Sequence, residues 1–200
     1  MFYEPRRADH GLPHDPFKAI VAPRPIGWIS ALGADGQINL APYSFFNAVC
    51  SRPPLVMFSS EGRKDAVTFI DETREFVCNL ATMPLAEQVN LTSAPLARGD
   101  SEFAHAGLEM EPSRLVAVPR VKGAAAALEC RHVSTQQLVD ANGSPVSCWL
   151  VLGEVVGVHI EDRFIVDGLV QTAAMQPIAR CGYREYAVVE RLFEMTRPTA

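Results

Sequence analysis

Residues 146–160 are apolar at both odd and even positions: Val146, Leu150, Leu152, Val156, Val158 and Ile160 on one parity, Trp149, Val151 and Val155 on the other. A strand that rests one face on a core alternates apolar with polar residues. A run apolar on both parities must instead be covered on both faces, so 146–160 predicts a central strand. Around it lie candidate strands at 26–33, 37–40, 43–49, 54–60, 75–81, 126–138 and 186–194, rich in Val, Ile, Phe and Leu, with Pro largely at their ends. Ala34-Asp35-Gly36 and Ala141-Asn142-Gly143 supply the positive-φ residues of hairpin turns.

Helical patterning is confined to short stretches. One covers about 64–73 with Val67, Phe69 and Ile70; a second covers about 84–92, with Pro84 in its first turn and Leu85 and Val89 four apart; a third sits near 171–177. Residues 93–110 read as a surface excursion, within which Arg98 to His105 is either a lid or a solvated charged face. Many short strands with turn punctuation predict a mainly β domain: a closed or nearly closed barrel, its open side covered by a few short peripheral helices. A doubly wound parallel sheet would need helices of ten or more residues between strands, which 120–165 lacks.

With 200 residues, one domain spanning the whole chain is the simplest division, and it can bury a core without metal or disulfide support. The net charge of -5 leaves no electrostatic footprint for nucleic acid. The five cysteines are widely spaced, without a CysXaaXaaCys pair, and read as buried thiols. The first residues have no apolar core of signal-peptide length, and no run approaches a membrane span, so the expected location is cytoplasmic. On that reading Asn90-Leu91-Thr92 and Asn142-Gly143-Ser144 are chance matches to a glycosylation acceptor.

Chemistry concentrates in residues 41–66. Two strand-like runs carry Ser44, Asn47, Ser59 and Ser60, and the second leads into Arg63-Lys64 at the start of a helical pattern. That combination suits a phosphorylated aromatic cofactor. A phosphomonoester carries about -1.5 to -2 charge and needs cations and several donors. Arg63 and Lys64 supply the charge, the helix start supplies backbone N–H groups, and Asp65 reads as the N-cap. The alternative is a solvated basic pair. An aromatic ring needs apolar walls and polar groups at its edge. In an unbroken strand Ser44 and Phe46 would face one way and Phe45 and Asn47 the other, so one pair lines the ligand with side chains and the other with backbone. Alternatively, Phe45 and Phe46 are simply core.

The chain as a whole resembles the flavin reductase-like family of FMN-binding split barrels. The resemblance is carried, in the family's order, by Arg24-Pro25, Trp28 and Ser30, Asn39, Pro42, Ser44-Phe45-Phe46, Pro53-Pro54 and Lys64-Asp65. It continues through Glu75-Phe76 and Asn79, Glu102-Phe103, Gly107-Leu108, Glu129-Cys130, Gly153-Glu154-Val155, His159, Arg180 with Gly182, and the closing 193–198 segment. It implies a Greek-key split β-barrel and a homodimer with FMN near the interface. Ala66 departs from the pattern, since many relatives carry a hydroxyl there.

By this resemblance the FMN-contacting residues are Trp28, Ser30, Ser44, Phe45, Phe46, Asn47, Ser59, Ser60, Arg63, Lys64, Asp65 and Asn79, with His159 and Arg180 toward substrate. Trp28 shares a face with Ser30 and reads equally as flavin neighbour or barrel filler. Asn79 meets either the ring edge or backbone. His159 is either a substrate contact at a barrel mouth or a half-exposed strand end, and Arg180 either pairs an anionic substrate or caps a turn.

The absence of GlyXaaGlyXaaXaaGly, Walker and HisGluXaaXaaHis patterns argues against a Rossmann dinucleotide domain, an NTPase and a zinc site, and no nucleophile elbow appears. The leading expectation is an oxidoreductase using FMN, rather than FAD. It would take hydride from NADH or NADPH and pass electrons to free flavin, a partner oxygenase or a metal complex. The cofactor carries the chemistry, so no catalytic acid–base dyad is expected. The alternatives are a flavoredoxin-like electron carrier and a barrel that binds no flavin.

Overall fold

The computed structural model describes residues 1–97 and 99–199; Arg98, which opens the segment read as a lid, lies outside them. Seven strands form one antiparallel sheet: β1 Gly27–Leu32, β2 Ile38–Tyr43, β3 Phe46–Ser51, β4 Pro54–Glu61, β5 Glu75–Leu80, β6 Ala126–Val139 and β7 Pro145–Ile160. Their spatial order is β2-β1-β5-β6-β7-β4-β3. β2 and β3 are thus the two ends of the sheet, yet only Ser44 and Phe45 separate them in the chain. Such a link spans roughly 10 Å, so the sheet has to curl until its ends meet. No ladder joins β2 to β3 among the described residues. The result is a β-barrel split at Ser44-Phe45, with Ser59 N–H donating to the Phe45 carbonyl at 2.8 Å beside the split.

The central-strand prediction for 146–160 corresponds to β7, which pairs with β4 through Cys148–Glu154 and with β6 along its length. Both predicted hairpins form, with Gly36 at φ +85° and Gly143 at φ +79°. The inward residues Ile29, Tyr43, Val56, Phe58, Phe76 and Val151 make the barrel core, and helix α1, Asp65–Thr73, packs Val67, Phe69 and Ile70 against it. On the opposite face of β1, Trp28 packs with Leu40, Val89, Phe103 and Ile178. Helices α2, Ala86–Leu91, and α3, Glu102–His105, cover that face with Val89 and Phe103. A small sheet of Arg24–Pro25, Ile178–Arg180 and Tyr186–Val188 flanks it.

The structure corrects four expectations. The predicted strand 43–49 is interrupted at Ser44-Phe45, because those two residues turn the corner between the sheet's ends. The predicted strand 186–194 is regular only over Tyr186–Val188. The 93–110 stretch is not all surface: Phe103 is only 1% exposed, in a helical turn capped by Ser101 Oγ accepting from Ala104 N–H at 3.4 Å. Of the free thiols, Cys78 and Cys130 are buried, Cys148 and Cys181 half-buried, and Cys50 exposed on the edge strand β3.

Gly153 marks the tightest packing in β7. A Cβ there would lie 2.3 Å from Cζ of the fully buried Phe76. Gly153→Ala is therefore expected to destabilise by about 1–3 kcal/mol, as overpacking does. A lower urea midpoint with an unchanged slope would show it.

Candidate functional site

A cavity of about 560 Å³ opens at the split. Strand β2 contributes Asn39, Ala41, Pro42 and Tyr43, the corner contributes Ser44 and Phe45, and β4 contributes Ser59 and Glu61. Lys64 and Asp65 enter from the start of α1, the segment 92–96 from beyond α2, Glu102 from α3, and Lys18 from the single helical turn Phe17–Ile20. Because the chain bends at Ser44-Phe45, strand alternation lapses there, and both side chains face the cavity.

The walls mix ring surface with charge. The Phe45 ring lies under two cations, 5.6 Å from Lys18 Nζ and 5.8 Å from the Arg24 guanidinium. Tyr43 lies tilted against Phe58, ring centres 4.6 Å apart, and burial pushes its phenol up to about 12, so it stays neutral. Glu102 accepts from Asn39 Nδ2 at 2.8 Å and from Leu40 N–H at 3.2 Å. Burial raises its carboxyl above the usual range despite those bonds. Asn39 Oδ1 is buried and has no hydrogen-bond partner among the described residues. Lys18 pairs with Glu61 at 3.3 Å, whereas Lys64 makes no ion pair among the described residues. Lys64, rather than Asp65, is the N-cap of α1: its backbone is extended, and no side chain caps the first-turn N–H groups.

The expected site residues fall into three groups. Ser44, Phe45, Ser59, Lys64 and Asp65 line the cavity together. Trp28, Ser30, Ser60 and Asn79 are buried behind it, and their polar atoms are engaged within the fold. Trp28 Nε1 donates to Thr92 Oγ1 at 2.9 Å, Ser30 Oγ to the Pro119 carbonyl at 2.7 Å, and Ser60 Oγ to the Gly62 carbonyl at 2.8 Å. Asn79 donates to the Trp28 carbonyl at 3.1 Å and accepts from Val121 N–H at 2.8 Å.

The remainder point elsewhere. Phe46 packs on the barrel core, and Asn47 is exposed and accepts from Ala48 N–H. Arg63 is held by Asp71 at 2.5 Å and lies 5.0 Å over the Trp149 ring. His159 bonds through Nε2 to the fully buried Glu129 and lines no part of the cavity. Arg180 lines an adjoining cleft, donating to the Tyr183 carbonyl at 2.6 Å.

Sequence reasoning missed Lys18 and the segment 92–96. A lone lysine in an irregular N-terminal stretch carries no pattern. Thr92 was legible only as part of a chance glycosylation match, yet its hydroxyl ties the Trp28 indole to the Val89 carbonyl.

Comparison with known proteins shows which family the chain belongs to. Residues 21–170 match the family described as flavin reductase like domain. The chain belongs to that family. Nitrilotriacetate monooxygenase component B from Bacillus cereus is 29% identical and superimposes with a TM-score of 0.89, with 98% of each chain covered. The 2-nitrobenzoate 2-nitroreductase NbaA of Pseudomonas fluorescens is also 29% identical, with a TM-score of 0.81 over 92% of this chain and 89% of that one. A split-barrel-domain protein from Shewanella frigidimarina, 23% identical, shares the fold at a TM-score of 0.81 over 91% and 90% of the two chains.

For a flavin reductase-like domain, the group that must fit is a flavin bearing one terminal phosphate. The donor set fits it. Lys64 and the uncapped first turn of α1 face the cavity and suit the phosphate. The unpartnered Asn39 Oδ1 suits a ring N–H, and Phe45 with Ala41 and Pro42 offers apolar wall. The volume lies within the range of small-molecule sites, about 300–1,000 Å³.

Proposed function

We propose that this protein is an FMN-dependent oxidoreductase, reduced by NADH or NADPH and passing electrons to free flavin, a partner oxygenase or another acceptor. The observation that carries the reading is the meeting, in one cavity at the barrel split, of Lys64 at an uncapped helix start and a buried acceptor, Asn39 Oδ1, with no partner among the described residues. FMN, when bound, supplies the hydride acceptance and electron return that no side chain provides. The protein's part is positional. Lys64 and the α1 N–H groups hold the phosphate, Asn39 orients the ring, and the segment 92–96 shields it from water.

The test is a visible spectrum of the purified protein, chromatography of the released cofactor, and anaerobic titration with each nicotinamide. FMN release and bleaching by one nicotinamide are expected. FAD release would overturn the single-phosphate site, and a bound flavin that neither nicotinamide reduces would leave an electron carrier.

A homodimer in the cytoplasm completes the proposal. The split leaves β2 and β3 as open edges, and Val49, Leu192, Phe193 and Met195 are exposed on β3 and in the C-terminal segment. Light scattering is expected to give twice the chain mass; a monomer at micromolar concentration with FMN still bound would contradict it.

A further inference from the structure

Beside the cavity at the split lies a second cleft of about 550 Å³, which shares Lys18, Pro42, Ser44 and Ser93 with it. Among the described residues its charged ones are Lys18, Arg24, Arg180 and Arg184, and no carboxylate lines it. In a chain of net charge -5 this concentration of cations is unusual. Lys18 is the one among them with a salt bridge, to Glu61, among the described residues.

Arg24 is the most telling of the four. It is only 6% exposed, and the acceptors of its guanidinium are all carbonyls, those of Lys18 at 2.5 Å, Cys181 at 2.9 Å, and Val21, with the Phe45 ring 5.8 Å away. Its Nε is buried without a partner among the described residues. A buried cation without a counter-charge is costly, and a ligand anion in the cleft would supply one. The cleft also carries ring surface. Tyr183 and Tyr186 are 49% and 44% exposed, and the Arg180 guanidinium lies 4.5 Å from the Tyr186 ring centre. Exposed aromatic faces beside guanidinium groups provide a stacking surface for a base next to sites for phosphate.

We infer that this cleft binds the adenosine diphosphate half of the nicotinamide dinucleotide, with the arginines on the diphosphate and the tyrosines against the base. The shared wall formed by Lys18, Pro42, Ser44 and Ser93 lets one ligand reach from the cleft into the flavin cavity. The inference rests on reading that cavity as a flavin site served by a nicotinamide donor. It assigns the cations of the cleft to the substrate, leaving Lys64 for the flavin phosphate.

Calorimetric titration of the FMN-loaded protein with ADP, and separately with inorganic phosphate, tests this. ADP is expected to bind, and the double variant Arg180→Ala/Arg184→Ala to weaken it by about tenfold or more, with FMN content and visible spectrum unchanged. Tyr186→Ala is expected to weaken ADP but not inorganic phosphate. Arg24 is left intact because its carbonyl clips join three segments of the fold. The assignment is overturned if ADP does not bind at millimolar concentration, if it binds equally well to the double variant, or if that variant loses FMN instead. ADP binding lost with the arginines upholds the cleft even if neither nicotinamide reduces the flavin, an outcome that would sink the proposed reaction alone. Reduction by a nicotinamide without any ADP binding would do the reverse.

Discussion

Lys64→Ala is expected to raise the dissociation constant for FMN by roughly thirtyfold, the loss of one charge-assisted phosphate bond of about 2 kcal/mol. Lys64 faces the cavity from the N-cap of α1 and makes no ion pair among the described residues, so its charge is available to a ligand. It is also exposed, so the apoprotein should melt within about 0.5 kcal/mol of the parent. Arg63→Ala makes the informative contrast. The two residues are neighbours in sequence, but Arg63 is turned away, bonded to Asp71 and laid over Trp149. Its removal should leave FMN affinity nearly intact and cost a little stability instead. Fluorescence titration of the apoproteins with FMN decides between them. Equal losses in both variants, or none in Lys64→Ala, would place the phosphate elsewhere.

Glu129→Ala is expected to be the most damaging single substitution to stability, by about 3–5 kcal/mol, or roughly 10 °C in melting temperature. The Glu129 carboxylate is fully buried and accepts backbone N–H bonds from Arg114 at 2.8 Å, Leu115 at 2.6 Å and Val116 at 3.1 Å, besides its bond with His159. Truncation leaves three backbone donors without an acceptor inside the protein, and an unmade buried bond costs more than a made one contributes. Burial pushes the Glu129 carboxyl up, but the bonds from His159 and from the Arg114 and Leu115 amides outweigh it and hold the group below its ordinary value. The ionised form therefore stabilises the fold. That contribution is complete above the unfolded carboxyl value of about 4.3 and is lost as pH falls through the lower folded value. Urea melts between neutral pH and pH 3 should show the parent losing stability more steeply than Glu129→Gln. His159→Ala, which removes one of the four bonds, should cost less and leave the dependence of flavin reduction on nicotinamide unchanged. A shift in that dependence would return His159 to the substrate.

The strands and their turns were legible because they depend on local patterning. The double-parity run of β7, the Gly36 and Gly143 turns, and the apolar face of α1 each need only a few neighbouring residues to be recognised. Ser44 and Phe45 could be singled out as polar and aromatic groups beside a basic pair. Their joint exposure to the cavity could not, since it arises from the corner that the sheet makes when its two ends meet.

The same holds for the assignment of charge. Sequence placed Arg63 and Lys64 together at a helix start, and with it the basic end of the site. Which of the two faces the cavity depends on Asp71, eight positions on in the helix that follows, and on Trp149, more than eighty positions away in β7. His159 could be seen at the end of a long strand, but its partner Glu129 lies on the neighbouring strand β6 and holds it in a hydrogen bond. The alternation and propensity that build strands and helices act between near neighbours and are written in order along the chain. The cavity and the setting of Asn39 come from curling the sheet, and that of Arg24 from packing the small flanking sheet beside it; both bring together groups whose separation in sequence carries no record of their contact.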